Sequence, residues 1–161
     1  MLRSLATLLQ LFLLLLFFSA LISCELKTAR DVSNTNLPIL GTWKLISGTL
    51  IEKGDTTVTD YTKNVSFIKI INNTHFAFLQ HDLTKGKDSI SVFSSGAGTY
   101  SLMDSVYTEH LEYCSDRNWE GNDFKFTISL KNDTLIQTGI EKIESLGVAR
   151  LNIEKYVRVK K

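Results

Sequence analysis

The chain has 161 residues, 43% of them hydrophobic and 22% charged, with 18 basic side chains against 17 acidic ones. A formal net charge of +1 lacks the basic surplus that phosphate binding needs, so nucleic acid is not an expected partner. Two cysteines cannot make a disulfide framework, and the length suits one domain held by its own core.

Met1, Leu2 and Arg3 form a short basic start, and residues 5–22 are almost wholly apolar, as a secretory signal must be to partition into lipid. The run closes on Leu21, Ile22, Ser23 and Cys24. This ending resembles the bacterial lipobox, in which a small residue precedes a cysteine that is lipidated and becomes the first residue of the mature chain. The resemblance implies a lipoprotein signal peptide over 1–23 and a lipid on Cys24. It also implies a place in the bacterial cell envelope, tied to a membrane on the periplasmic or outer-membrane side. An ordinary cleaved signal or an uncleaved anchor is the alternative, since the run approaches the ~18 residues that can span a bilayer. Removing the leader removes Arg3, its only charge, and takes the balance from +1 to 0. Cys114 is then the only thiol without lipid, so no intrachain disulfide is expected. Residues 24–39 are polar and mixed ahead of the single proline, Pro38, and read as a tether to a domain over 40–161.

From Gly41 onward, β-branched and aromatic residues alternate with polar ones at period two, which predicts an all-β fold. Eight strands are expected, at about 41–50, 65–72, 75–81, 97–103, 106–113, 123–131, 133–140 and 151–159. Three connections are tight, at Asn73 and Thr74, at Asp104 and Ser105, and at Asn132 beside Asp133. Asn and Asp tolerate the left-handed backbone that such turns require. The other four, at 51–64, 82–96, 114–122 and 141–150, are expected to be long loops. In an up-and-down meander every second connection falls at the same end, so the pattern predicts an antiparallel barrel with one pinched end and one loop-rimmed mouth. Trp43 and Arg158 both fall at the pinched end, where the guanidinium can cover the indole in a cation–π contact worth about 0.5–2 kcal/mol.

Gly41, Thr42 and Trp43 followed by Lys44 and Leu45, the strand spacing and the terminal-strand Arg158 resemble the lipocalin and fatty-acid-binding-protein group. The likeness is greatest to lipocalin-like domains of bacterial lipoproteins. It implies an eight-stranded up-and-down barrel whose interior takes a small apolar or amphipathic ligand, with no cofactor and no metal.

Side-chain parity then selects the expected lining. It comprises Phe76, Phe78 and Gln80; Tyr100 with Gly98 and Leu102; Tyr107, Glu109, Leu111 and Tyr113; Phe124, Phe126, Ile128 and Leu130; Leu135 and Gln137; and Glu154, Tyr156 and Arg158. Trp43, Leu45, Ser47 and Thr49 are expected inside, as are Ser66, Ile68 and Ile70, which puts Lys69 outside. Glu109 in an apolar cup needs a partner, and a tyrosine hydroxyl from Tyr100, Tyr107 or Tyr113, or the Arg158 guanidinium, is the expected one. His75, His81 and His110 have no ligand-type spacing. Three functions follow. The first is a membrane-anchored carrier of a small hydrophobic or amphipathic molecule. The second is a structural or protein-interaction lipoprotein with a filled barrel, gripping a partner through loops 51–64 and 82–96. The third is an enzyme using Glu109 as a general acid or base.

Overall fold

Alternating sequence becomes alternating structure in the computed structural model, which describes residues 38–87 and 91–160. Cys24, the leader and all but the end of the tether lie outside the described residues. The strands are β1 (Gly41–Glu52), β2 (Asp55–Asp60), β3 (Val65–Ile71), β4 (His75–Asp82), β5 (Phe93–Met103), β6 (Val106–Cys114), β7 (Asn122–Lys131), β8 (Thr134–Ile143) and β9 (Val148–Arg158). Each of β3 to β8 pairs antiparallel with the next, and β1 pairs with both β3 and β9. Eight strands therefore close into a barrel, and β2 is an extra strand laid against the far half of β1.

That extra strand corrects the reading of 51–64 as a loop. The alternation of β1 runs on to Glu52, reverses at Lys53 and Gly54, both at positive φ (52° and 90°), and returns as β2. A two-residue turn with both φ values positive matches the twist of a hairpin, and glycine at its second position is the usual solution. The 141–150 connection is shorter than expected as well, since β8 and β9 are joined by one 3₁₀ turn, Glu144–Leu146, ended by Gly147 at φ 65°. Genuinely longer connections at this end are 83–92 and 115–121.

The opposite end is sealed from the chain's first described residues inward. Trp43 is fully buried and donates its indole N–H to the Ile39 carbonyl at 2.7 Å. Arg158, directly opposite Trp43 in the β1–β9 register, lies 4.1 Å from the indole ring centre. Its Nη1 donates to the Leu40 carbonyl at 2.6 Å and its Nη2 to that of Pro38. Gly41 stands at φ 131°, and a Cβ there would come within 2.9 Å of Arg158 Nη1, so only glycine serves both backbone and plug. Ile39, Leu45, Phe76, Tyr107 and Leu135 fill the space above, all but 1% buried or more.

Two bulges reset the parity on which side-chain facing depends. The β1–β9 register shifts between Leu45 and Ser47, so Gly48 and Leu50 face inward where Ser47 and Thr49 were expected. The β5–β6 register shifts between Ala97 and Gly98, which turns Cys114 inward and leaves Tyr113 66% exposed. A bulge adds one residue to one strand, so every side chain beyond it changes face.

Candidate functional site

Above the sealed end, the barrel holds a cavity of about 280 Å³. It runs from the buried Lys69 and Glu109 up to the exposed Ser115 and Asp116, so it communicates with solvent at the loop end. Phe78, Glu109, Phe124, Phe126, Gln137 and Tyr156 of the expected lining do line it. Phe76 and Tyr107 lie below it in the packed core, while Tyr100 packs against that core with its hydroxyl donating to the Asn72 carbonyl at 2.7 Å. Gln80 is outside the lining and Tyr113 is outside the barrel.

Lys69 is the largest departure from the expected arrangement. In β3 the inward set is Phe67, Lys69 and Ile71, the reverse of the set chosen on apolarity, and Lys69 is only 2% exposed. Its ammonium donates to Glu109 Oε1 at 2.7 Å and to Gln137 Oε1 at 3.1 Å. The rings of Phe76, Tyr107 and Tyr156 surround it, with centres 5.4–5.9 Å from Nζ. Glu109 thus finds its partner in a lysine rather than in a tyrosine or Arg158. Burial pulls the Lys69 amine toward neutrality, but the Glu109 carboxylate, helped by Glu154 and Glu141, more than offsets it and holds the group above the usual lysine value. A permanently protonated amine is a hydrogen-bond donor and a point charge, not a nucleophile.

A second polar cluster sits on the β8–β9 wall. Glu141 accepts from Arg150 Nε at 2.6 Å through Oε2 and from Asn152 Nδ2 at 2.7 Å through Oε1. Arg150 in turn lies 5.1 Å from the ring centre of Trp119. Trp119 reaches the mouth because its loop is tied down. The Asp116 carboxylate accepts from the Asn118 N–H at 3.1 Å, and Glu120 accepts from the Cys114 N–H at 2.9 Å and from Arg117 Nε at 2.8 Å. Trp119 then packs on Phe124, ring centres 5.6 Å apart. Across the mouth, Tyr61 at the end of the β2 hairpin folds over Gly48 and meets Phe67 edge-on at 5.8 Å. Phe67 stacks on Phe78 at 5.7 Å.

Glu154 is the remaining charged group in the lining apart from Asp116 at the exposed rim. It faces Gln137 across the β8–β9 ladder and accepts the Tyr156 hydroxyl at 2.8 Å. Among the described residues no cation stands within 4.0 Å of it. Burial raises its carboxyl above the ordinary glutamate value, with Lys69 and the Tyr156 hydroxyl offsetting part of the rise and Glu109 and Glu141 adding to it. Burial likewise raises the phenols of Tyr61 and Tyr156, so both remain neutral donors.

Sequence reasoning thus missed Lys69, Glu141, Arg150, Asn152, Tyr61 and Trp119, while Glu154 lines the cavity as its parity with Tyr156 predicts. One signal was present: an inward Glu109 demands a cation, and Lys69 shares the inward parity of the aromatic Phe67. The outward histidines are exposed, and His110 Nδ1 meets Asp123 at 2.6 Å on the surface. Among the described residues no group of three or more His, Cys, Asp or Glu side chains could hold a metal ion.

No protein-family model and no curated protein matches the chain. Among solved structures it is similar to an uncharacterised protein from Bacteroides eggerthii DSM 20697. The two are 12% identical, with 74% of this chain and 98% of that one covered and a TM-score of 0.42.

Proposed function

We propose that the chain is a lipocalin-like lipoprotein of the bacterial envelope, held to a membrane through lipid on Cys24, whose barrel takes up a small amphipathic ligand. The observation that carries this reading is the cavity of about 280 Å³, aromatic on its walls, polar at its floor and reached from the loop end. Its size falls just short of the roughly 300–1,000 Å³ of common ligand sites, and its mixture of rings with a few convergent polar groups is what such sites use to orient a guest. A barrel filled by its own side chains would leave no such space. The described chain enters the barrel at the sealed end, through Pro38 and Ile39.

The reading is tested on protein purified from its host membrane, by organic extraction with mass spectrometry and by displacement of an environment-sensitive dye. A ligand present in stoichiometric amount, or dye binding that Phe126→Trp blocks by filling the cavity, supports carriage. Neither being seen removes it.

A second reading draws on β2. All six of its residues are exposed, and its outer edge has no strand partner among the described residues. Such an edge can accept a strand from another protein. Replacing Val58, in the middle of β2, by proline would abolish that docking while leaving the cavity intact.

A further inference from the structure

The polar groups of the cavity do not balance one another. Lys69 is matched by Glu109, and Arg150 by Glu141, each pair within 2.7 Å. Glu154 is the third carboxylate below the exposed rim, where Asp116 stands, and no third cation lies within 4.0 Å of it among the described residues. Among the described residues, further groups on the floor are incompletely paired. The buried Tyr107 hydroxyl has no hydrogen-bond partner. Glu109, 6% exposed, hydrogen-bonds Lys69 through Oε1, and no such bond to its Oε2 is seen among the described residues. Gln137, 1% exposed, turns its Oε1 to the Lys69 ammonium, and no bond from its Nε2 is seen among the described residues. Buried polar groups are nearly always paired, and Glu154, half-buried in the cavity wall, is left over from the salt-bridge network.

From this geometry we infer that the guest is a monocationic amphipath, an organic ammonium with an apolar body, whose charged head is received by Glu154 and the free oxygen of Glu109. The inference rests on the carrier reading above and names the chemistry of its ligand. An ammonium supplies three donors, enough for both carboxylates, and brings the charge of the enclosed site to zero. The ring of Tyr156, whose hydroxyl Glu154 accepts, and that of Phe67, 6.4 Å from it in the same lining, favour a cation over an anion, because their faces are electron-rich. Phe78, Trp119 and Phe124 nearer the mouth are left for the apolar body. An anionic guest would meet three carboxylates with both cations already engaged.

Three water-soluble probes of nearly equal shape separate the possibilities: phenylbutylamine, phenylbutanol and phenylbutyrate, titrated calorimetrically into the full chain in nanodiscs of zwitterionic lipid, with empty discs as blank. The amine is expected to bind about tenfold or more tighter than the alcohol, the worth of a hydrogen bond to a charged group, and the carboxylate least. Glu154→Gln is expected to reduce the amine's advantage about tenfold while leaving the alcohol's affinity within about twofold. Equal binding of amine and alcohol, or tighter binding of the carboxylate, overturns the inference yet leaves the carrier reading standing. Binding of none of the three, together with failure of dye displacement, removes both.

If Glu154→Gln does not fold, the unmutated chain still decides. The groups facing Glu154 are Lys69 on β3, Tyr107 and Glu109 on β6, Glu141 on β8, Arg150 and Tyr156 on β9, and Tyr61 beyond β2. Burial raises the Glu154 carboxyl, so it takes up a proton early as pH is lowered. The amine's advantage over the alcohol must therefore fall as pH is lowered from about 8 to about 4, because the amine stays charged while Glu154 becomes neutral. An advantage that does not change over that range contradicts the inference.

Discussion

Each end of the barrel carries one of the chain's two tryptophans, and each tryptophan carries an arginine, yet the two pairs do opposite things. At the sealed end, Arg158 is 4.1 Å from the Trp43 ring centre, its Nη1 and Nη2 donate to the Leu40 and Pro38 carbonyls, and its Nε lies 3.7 Å from the Asp133 carboxylate. Those bonds join the start of the domain to its last strand and leave no space for a guest. At the mouth, Arg150 is 5.1 Å from the ring centre of Trp119, a half-buried residue on a seven-residue connection, and its Nε is held by Glu141. Here the pair forms a wall of the cavity rather than a plug. The same two side chains thus close a barrel when the arginine is tied to backbone, and shape a binding site when it is tied to a carboxylate that the cavity shares.

The floor between the two ends is the most sensitive place to break this division. Lys69→Met leaves Glu109 buried beside apolar groups, and urea unfolding is expected to show a loss of about 3–5 kcal/mol. The double variant Lys69→Met/Glu109→Leu is expected to recover most of it, because an apolar pair of similar volume replaces both charges. A single variant as stable as the unmutated protein would mean that the pair does not hold the floor.

Next in size is the plug. Arg158→Ala removes the cover of Trp43 and two charge-assisted bonds, an expected cost of about 2–3 kcal/mol, and it should leave dye binding at the mouth within about twofold once the protein is folded. Arg150→Ala inverts the pattern, with the larger effect on binding. Equal effects of the two substitutions on stability and on binding would erase the distinction between the ends.

A smaller effect, of opposite sign, is expected at Glu154. Its carboxyl is raised in the folded protein, so the native state keeps a proton that the unfolded chain has released. The stability this group contributes is full below the ordinary glutamate value and is lost as pH rises through the native one. In the empty protein, Glu154→Gln is therefore expected to stabilise by about 1 kcal/mol near pH 8 and to make no difference in mild acid, read from thermal unfolding. Asp82 runs the other way. The Gly86 N–H, the Thr84 hydroxyl and the Val92 N–H hold its carboxyl down at about 2, so its contribution is present above the ordinary aspartate value and fades as pH falls toward 2. Least of all, Tyr113→Ser should change neither stability nor binding measurably, since the bulge has put that ring in solvent.

What was legible in the sequence follows from which features are local. Strand alternation, the Asn and Asp turns and the glycine before Trp43 each act within a few residues, and they were enough to give an all-β barrel with one pinched end. Phe124 and Phe126 were placed correctly because β7 keeps strict period two throughout. Facing failed where a long-range event intervened. The bulges at Ile46 and near Gly98 depend on how β1 meets β9 and β5 meets β6, and a Cβ on Gly98 would lie 1.8 Å from the His110 carbonyl oxygen, a closeness no local pattern announces. Lys69 was placed outside because lysine is rarely buried, and only its meeting with Glu109, forty residues on, makes the inward position tolerable.

The division between a sealed end and a receptive one is tested most directly by reading the two tryptophans separately. In Trp43→Phe only Trp119 emits, and in Trp119→Phe only Trp43 does. Titrating phenylbutylamine or phenylbutanol is expected to shift the Trp119 emission along a saturable curve and to leave the Trp43 emission unmoved. A saturable change at Trp43 with none at Trp119, or no saturable change at either for any guest that binds by calorimetry, would contradict the account.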